Sequence, residues 1–97
     1  MTLLEKSMQE KQEIIVGVTI TVDGVIRQLP RPYRHHHVIE MVYVDSGFRP
    51  VTTEDQGFFT NTGRYLNREE ALVVAKKANQ LLPRHHHATE LFSESVW

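Results

Sequence analysis

The chain contains no cysteine, which excludes disulfides, thiolate metal sites and a cysteine nucleophile together. It has no apolar run near the ~18 residues that a membrane span requires. Its first stretch, MTLLEKSMQEKQE, mixes acids with lysines where a secretory leader needs an apolar centre. These absences make a reducing cytoplasm the expected address and a membrane partner unexpected. An excess of one charge is missing too: 11 Lys and Arg stand against 12 Asp and Glu, for a net charge of −1. Bulk electrostatic binding of nucleic acid is therefore not expected. No glycine-rich phosphate loop, G-x-S-x-G elbow or H-E-x-x-H signature occurs. What remains is an ordinary globular composition, 40% hydrophobic and 24% charged over 97 residues. That length predicts one domain with a modest core.

Histidine is what the chain has in excess. All 6 histidines lie in two triplets, within the phrases LPRPYRHHHVIEM (29–41) and LPRHHHATEL (82–91). Each phrase runs Leu-Pro, arginine, three histidines and then a glutamate three residues on. Between Arg27 and His37 there are three arginines and three histidines and no acid. The first phrase comes before a predicted helix and the second after one, so the recurrence is chemical rather than a structural repeat.

The local pattern predicts an α+β fold: a small single domain in which two β-hairpins and two helices form an antiparallel sheet with helices packed on it. Residues 1–12 read as an N-terminal arm or short helix, and 13–97 as the domain, ending in an apolar tail. Val16, Val18, Ile20 and Val22 alternate with small or polar residues, which is the period of a half-buried strand. Asp23-Gly24 supplies a two-residue turn. That turn pairs Val22 with Val25, Ile20 with Arg27 and Val18 with Leu29, and puts Arg27 on the apolar face. There it either snorkels to the sheet's edge or meets an anion. RHHHVIEMVYVDSG is expected to be helix closed by Gly47, and residues 48–56 a loop. GFFTNTGRYL reads as a second hairpin turned at Asn61–Arg64. Asn67 and Glu70 form a capping box for a helix whose stripe Ala71, Ala75, Ala78 and Leu82 runs to a stop at Pro83. Arg64 and Arg68 read as a solvated helix start, with Arg64 a weaker candidate for an anion site.

Three chemistries compete for the triplets. Neutral imidazoles bind metals, but successive helical residues lie ~100° apart, so one triplet cannot converge on one ion. His36 with Glu40, and His86 with Glu90, could instead make a four-ligand zinc or manganese site serving a hydrolase or nuclease. Alternatively, Arg31 and Arg34 with His35, His36 and His37 grip a phosphate through charge-assisted bonds, helped by the amides of a helix start, while Tyr33 stacks on a base. Arg27 would join that grip, and Arg84 with His85, His86 and His87, from the same chain or a neighbour, would complete the pocket. The plainest reading is that the triplets are solvated helix caps. A further possibility places Phe92 and Trp97, in ELFSESVW, as anchors on a host protein.

The order GVIR-x-LPRP-x-RHH, then QGF, GRYLNREEA and finally LFSE-x-x-W resembles a family of small proteins encoded by tailed bacteriophages, over most of residues 24–97. His37 stands where that family commonly has an acid, and SESVW where SEDLW is common. The first departure weakens a His-Asp metal or hydrolase reading. The resemblance implies a phage protein acting in a host bacterial cytoplasm. It suggests antagonism of host defence, by binding a host protein or sequestering a nucleotide signal. The leading expectation is a binding protein, a homo-oligomer, that holds a small anionic or nucleotide-like molecule bearing phosphate.

Overall fold

The computed structural model describes residues 12–47 and 55–97. Strand β1 (Ile15–Val22) turns into β2 (Val25–Pro30), and helix α1 (His35–Ser46) follows. Strands β3 (Gln56–Thr60) and β4 (Tyr65–Asn67) form the second hairpin, and helix α2 (Arg68–Lys77) follows that. A short 3-10 turn at Ser93–Ser95 lies within the tail. Among the described residues the four strands make one antiparallel sheet in the order β2-β1-β3-β4. The expected arm lies mostly outside the described residues, as does most of the 48–56 loop.

The first hairpin forms because Asp23 (φ 50°) and Gly24 (φ 76°) occupy the left-handed region that a two-residue turn demands. The register puts Val22 opposite Val25, Ile20 opposite Arg27 and Val18 opposite Leu29. Phe58 pairs with Val18 on one side and with Leu66 on the other, so these residues share one sheet face. On that face they meet Val38 and Val42 of α1 and Ala71, Leu72, Val74 and Ala75 of α2, with Ile15, Ile20 and Leu91 completing the core.

Arg27 falls on this helix-covered face, as the pairing predicts, and the anion it meets there is a carboxylate of the protein itself. Its guanidinium pairs with Asp45 near the end of α1. Gly47 ends α1 in the left-handed conformation (φ 74°), its N–H donating to the Tyr43 carbonyl.

Helix α2 is shorter than its stripe predicts. It stops at Lys77, with Ala78 as its C-terminal cap and Asn79 left-handed (φ 55°). Beyond it the Gln80 backbone N–H closes on the Ala75 carbonyl, the Gln80 side-chain amide exchanges two hydrogen bonds with the Ile15 backbone, and the Leu82 N–H donates to the Ser95 carbonyl. Leu82 therefore belongs to a loop packed on the tail rather than to a helical turn, and Pro83 does not end the helix.

Candidate functional site

The two hairpin–helix units deliver equivalent positions to one place. His35 is the first residue of α1 and Arg68 the first of α2, and both are buried, 6% and 7% exposed. Both reach the start of β3. His35 Nε2 donates to the Gly57 carbonyl at 2.7 Å, and Arg68 Nη2 donates to the side-chain carbonyl of neighbouring Gln56. The His35 ring also stands edge-on to Phe58 with centroids 4.9 Å apart. Burial holds the His35 pKa at about 4, and the Arg68 charge pushes the same way, against the Gly57 hydrogen bond and the Glu94 charge. His35 is thus neutral, with its proton on Nε2.

Arg68 is the residue that sequence reasoning placed wrongly. It is not a solvated helix start. Its Nε and Nη1 are buried without a hydrogen-bond partner, and no carboxylate lies within ion-pairing distance among the described residues. The Phe92 ring covers it, 4.3 Å from the guanidinium carbon. Burial lowers its pKa from the ordinary arginine value, while the charges of Glu90 and Glu94 act against that. A buried donor left unpaired costs about 1–3 kcal/mol, more for a charged group. The sequence signal available was slight: LNRE puts arginine directly after the capping asparagine, at a helix position usually exposed. Arg64, the other member of that pair, is engaged elsewhere. It donates through Nε and Nη2 to the Glu13 carboxylate, at 2.9 and 2.6 Å.

The tail lies over this pair of helix starts, and both histidine phrases hold it. Arg34 Nη2 donates to the main-chain oxygen of Trp97 at 2.6 Å, and the Trp97 indole donates to the Tyr33 carbonyl at 2.8 Å. From the second phrase, Arg84 Nε donates to the Glu94 carbonyl at 2.7 Å, and His85 Nδ1 bonds the Ser95 hydroxyl at 2.8 Å. The Leu91 N–H donates to the Arg68 carbonyl at 3.0 Å. Leu91, Ser93 and Ser95 are buried. Phe92 lies 4.0 Å from the His87 ring, centroid to centroid. The apolar tail is therefore part of the body, with Phe92 and Trp97 occupied internally. The recurring phrase has a physical meaning here: two basic segments clasp one strap.

That use takes Arg34, Arg84 and His85 into intramolecular bonds. His37 folds back as well, its Nδ1 accepting from the Arg34 N–H at 2.8 Å while its own N–H donates to the Arg34 carbonyl. Arg34 has no side-chain acceptor, so no side chain caps the first amides of α1, and the first turn holds no acid. Arg31, Tyr33 and His36 are exposed beside them. The His36 and His37 rings lie 4.0 Å apart, and Tyr33 meets His37 edge-on at 5.3 Å. His86 is exposed, its Nδ1 bonding the Arg84 carbonyl at 3.2 Å. His36, Glu40, His86 and Glu90 are not gathered: among the described residues no group of three or more His, Asp or Glu side chains is placed to hold a metal ion. Ser95 does meet a histidine, but it is 1% exposed and so closed to a substrate.

A separate concavity of about 220 Å³ lies on the sheet face away from the helices, lined by Thr19, Thr21, Ile26, Gly57, Tyr65 and Asn67 among others. It includes no histidine and no cation.

A model of the family described as Phage T4 y16D protein matches residues 7–97. The chain belongs to that family. The phage T4 y16D match spans both hairpins, both helices, both histidine phrases and the strap, so the clasp lies wholly inside the matched region. No curated protein and no solved structure matches the chain. Among the described residues, no helix is long and apolar enough to cross a membrane.

Proposed function

We propose that this phage protein binds a phosphate-bearing small molecule of nucleotide type, at the start of α1. The observation that carries the reading is the opening of that helix. Its first amides have no side-chain cap and its first turn holds no acid, and Arg31, Tyr33 and His36, next to them in the chain, are exposed. An uncapped helix start favours an anion through oriented N–H donors and the positive end of the helix dipole. Arg31 supplies a guanidinium for phosphate, and the His36 N–H adds a donor. Tyr33, 47% exposed, offers a face to a base. The reading assigns His37, His86 and His87 to the rim, with Arg34, Arg84 and His85 holding the strap. Retention of such a ligand inside an infected bacterium would remove it from host use, which is the role the reading assigns.

Native mass spectrometry of untagged protein from bacterial cells, followed by calorimetric titration with nucleoside mono- and diphosphates, tests it. A retained nucleotide-sized mass, and about a tenfold affinity loss in Arg31→Ala and in His36→Ala, are the expected results. Wild-type protein that binds no nucleotide and no inorganic phosphate overturns it.

A further inference from the structure

We infer that the charge anchor of the ligand site is Arg68, which takes an oxyanion beneath the strap of residues 91–97. The inference rests on the ligand-binding reading above and moves its anionic end inward from the rim.

Arg68 is more than nine-tenths buried and presents two N–H groups, Nε and Nη1, to which nothing among the described residues hydrogen-bonds. A guanidinium stays charged when buried, so the site keeps an unmet demand for acceptor oxygens. Its surroundings raise that demand. Arg68 opens α2 and His35 opens α1, so two helix starts, each the positive end of its dipole, lie at one spot. His35 is neutral there, with Nε2–H already given to Gly57, and Gln56 gives Arg68 only a side-chain carbonyl. The acids that face Arg68 are Glu90 and Glu94, which act on it through space without pairing. Glu69 and Glu70 of the first turn of α2 are exposed, and Glu70 is occupied at the Asn67 cap. A ligand oxyanion would supply the direct contact that these carboxylates do not make.

Over the guanidinium lies the Phe92 ring, on a segment tied down by side chains. Arg34 and Arg84 hold the strap by main-chain carbonyls, and His85 holds it by a hydroxyl. Lifting Phe92 while Leu91 stays in the core opens the guanidinium toward the side on which His87 stands. Phosphate and carboxylate share the chemistry a guanidinium recognises, so the test carries one probe of each.

Inorganic phosphate and succinate are titrated separately into the full-length wild type and into Arg68→Met, with thermal unfolding recorded for both proteins. Arg68→Met should lose at least tenfold in affinity for the preferred probe, with a Tm equal to or above that of wild type, because a flexible apolar chain of similar length replaces an unpaired charge. The tighter of the two probes names the source of the oxyanion. Unchanged affinity in Arg68→Met overturns the anchor, and if Arg31→Ala still weakens nucleotide binding, the rim reading survives without it. Failure of wild type to bind either probe or any nucleotide overturns both. If Arg68→Met does not fold, Arg68→Lys is measured instead. It keeps the charge but lacks Nε–H and the fork, so several-fold weaker binding supports the anchor and wild-type affinity overturns it.

Discussion

Arg34 and Trp97 hold each other's neighbourhoods across the molecule: the arginine guanidinium donates to the Trp97 main-chain oxygen, and the Trp97 indole donates to the carbonyl of residue 33, beside Arg34. Each contact closes the loop the other begins. Hydrogen bonds from charged groups contribute about 1.5–3 kcal/mol. Arg34→Ala should therefore lower unfolding stability by about that amount, and Trp97→Phe by about 1 kcal/mol. Because the contacts form one clasp, the double variant should lose less than the sum, as urea denaturation of all four proteins would show. Strict additivity would mean that two independent contacts merely sit close together.

The strap's apolar root supports more weight. Leu91 is fully buried in the core shared by both helices, so Leu91→Ala should cost about 2–5 kcal/mol. Thermal unfolding measures it directly. A loss below about 1 kcal/mol would show the tail to be a surface attachment.

Acid should act first through His35. Its pKa falls from an ordinary 6.5 to about 4 on folding, chiefly by burial. A depressed folded pKa means that the unfolded chain takes up the proton first. The associated stability is complete above pH 6.5 and is lost as pH falls toward 4. Across that window the loss approaches a few kcal/mol, since a tenfold difference in proton affinity between folded and unfolded chains corresponds to about 1.4 kcal/mol. His35→Gln retains an N–H that can reach Gly57, so it should flatten the slope between pH 6.5 and 4 without removing the donor. An equal slope in the variant would assign the acid sensitivity elsewhere.

A second acid limb lies lower. Glu13 is held at about 2 by Arg64 first, with Thr60 and Thr62 assisting and burial opposing. Its stabilisation is present above the ordinary value of 4.5 and disappears as pH falls toward 2. Arg64→Ala should shrink this limb and leave the His35 limb untouched. Added salt should imitate the substitution weakly, because the Arg64 end of the pair is exposed while the Glu13 carboxylate is partly buried.

Glycines at two places should respond differently to alanine. A Cβ on Gly57 would lie 2.4 Å from the Leu66 main-chain oxygen, which belongs to the neighbouring strand and cannot move without breaking the ladder. One on Gly24 meets nothing within 4 Å, although its φ of 76° disfavours a side chain. Gly24→Ala should cost about 1 kcal/mol. Gly57→Ala should cost more, toward the ~3 kcal/mol of overpacked cores. It should also disturb His35, whose partner is the Gly57 carbonyl. Chemical denaturation ranks the two.

The parts of the fold legible in the chain were those decided locally. Asp23-Gly24 sets the first hairpin's register through backbone conformation alone, and Asn67 with Glu70 caps α2 within one turn. The end of α2 was not legible, because the Gln80 side chain is held by the Ile15 backbone, sixty-five positions away in the chain, and the Leu82 N–H by the Ser95 carbonyl. The same holds for the site. Arg31, Tyr33 and His36 are exposed where the phrase suggested, but Arg34 and Arg84 proved to be fasteners. Arg68 was hidden because its burial depends on Phe92, which only the folded tail brings near. Local pattern reports what a residue is able to do, whereas distant neighbours decide which capacity is used.

The place of the strap in the fold has a consequence for how quickly a ligand could come and go. The four strands end at Asn67 and Arg68 follows directly, whereas Phe92, whose ring lies over that guanidinium, comes only after α2 and the second histidine phrase. The hydrogen bonds that hold the strap come from Arg34, Arg84 and His85 and not from Arg68. An oxyanion held by Arg68 as inferred above would leave only when those fasteners open, so its residence time would follow the clasp rather than the strength of its own contact with the guanidinium.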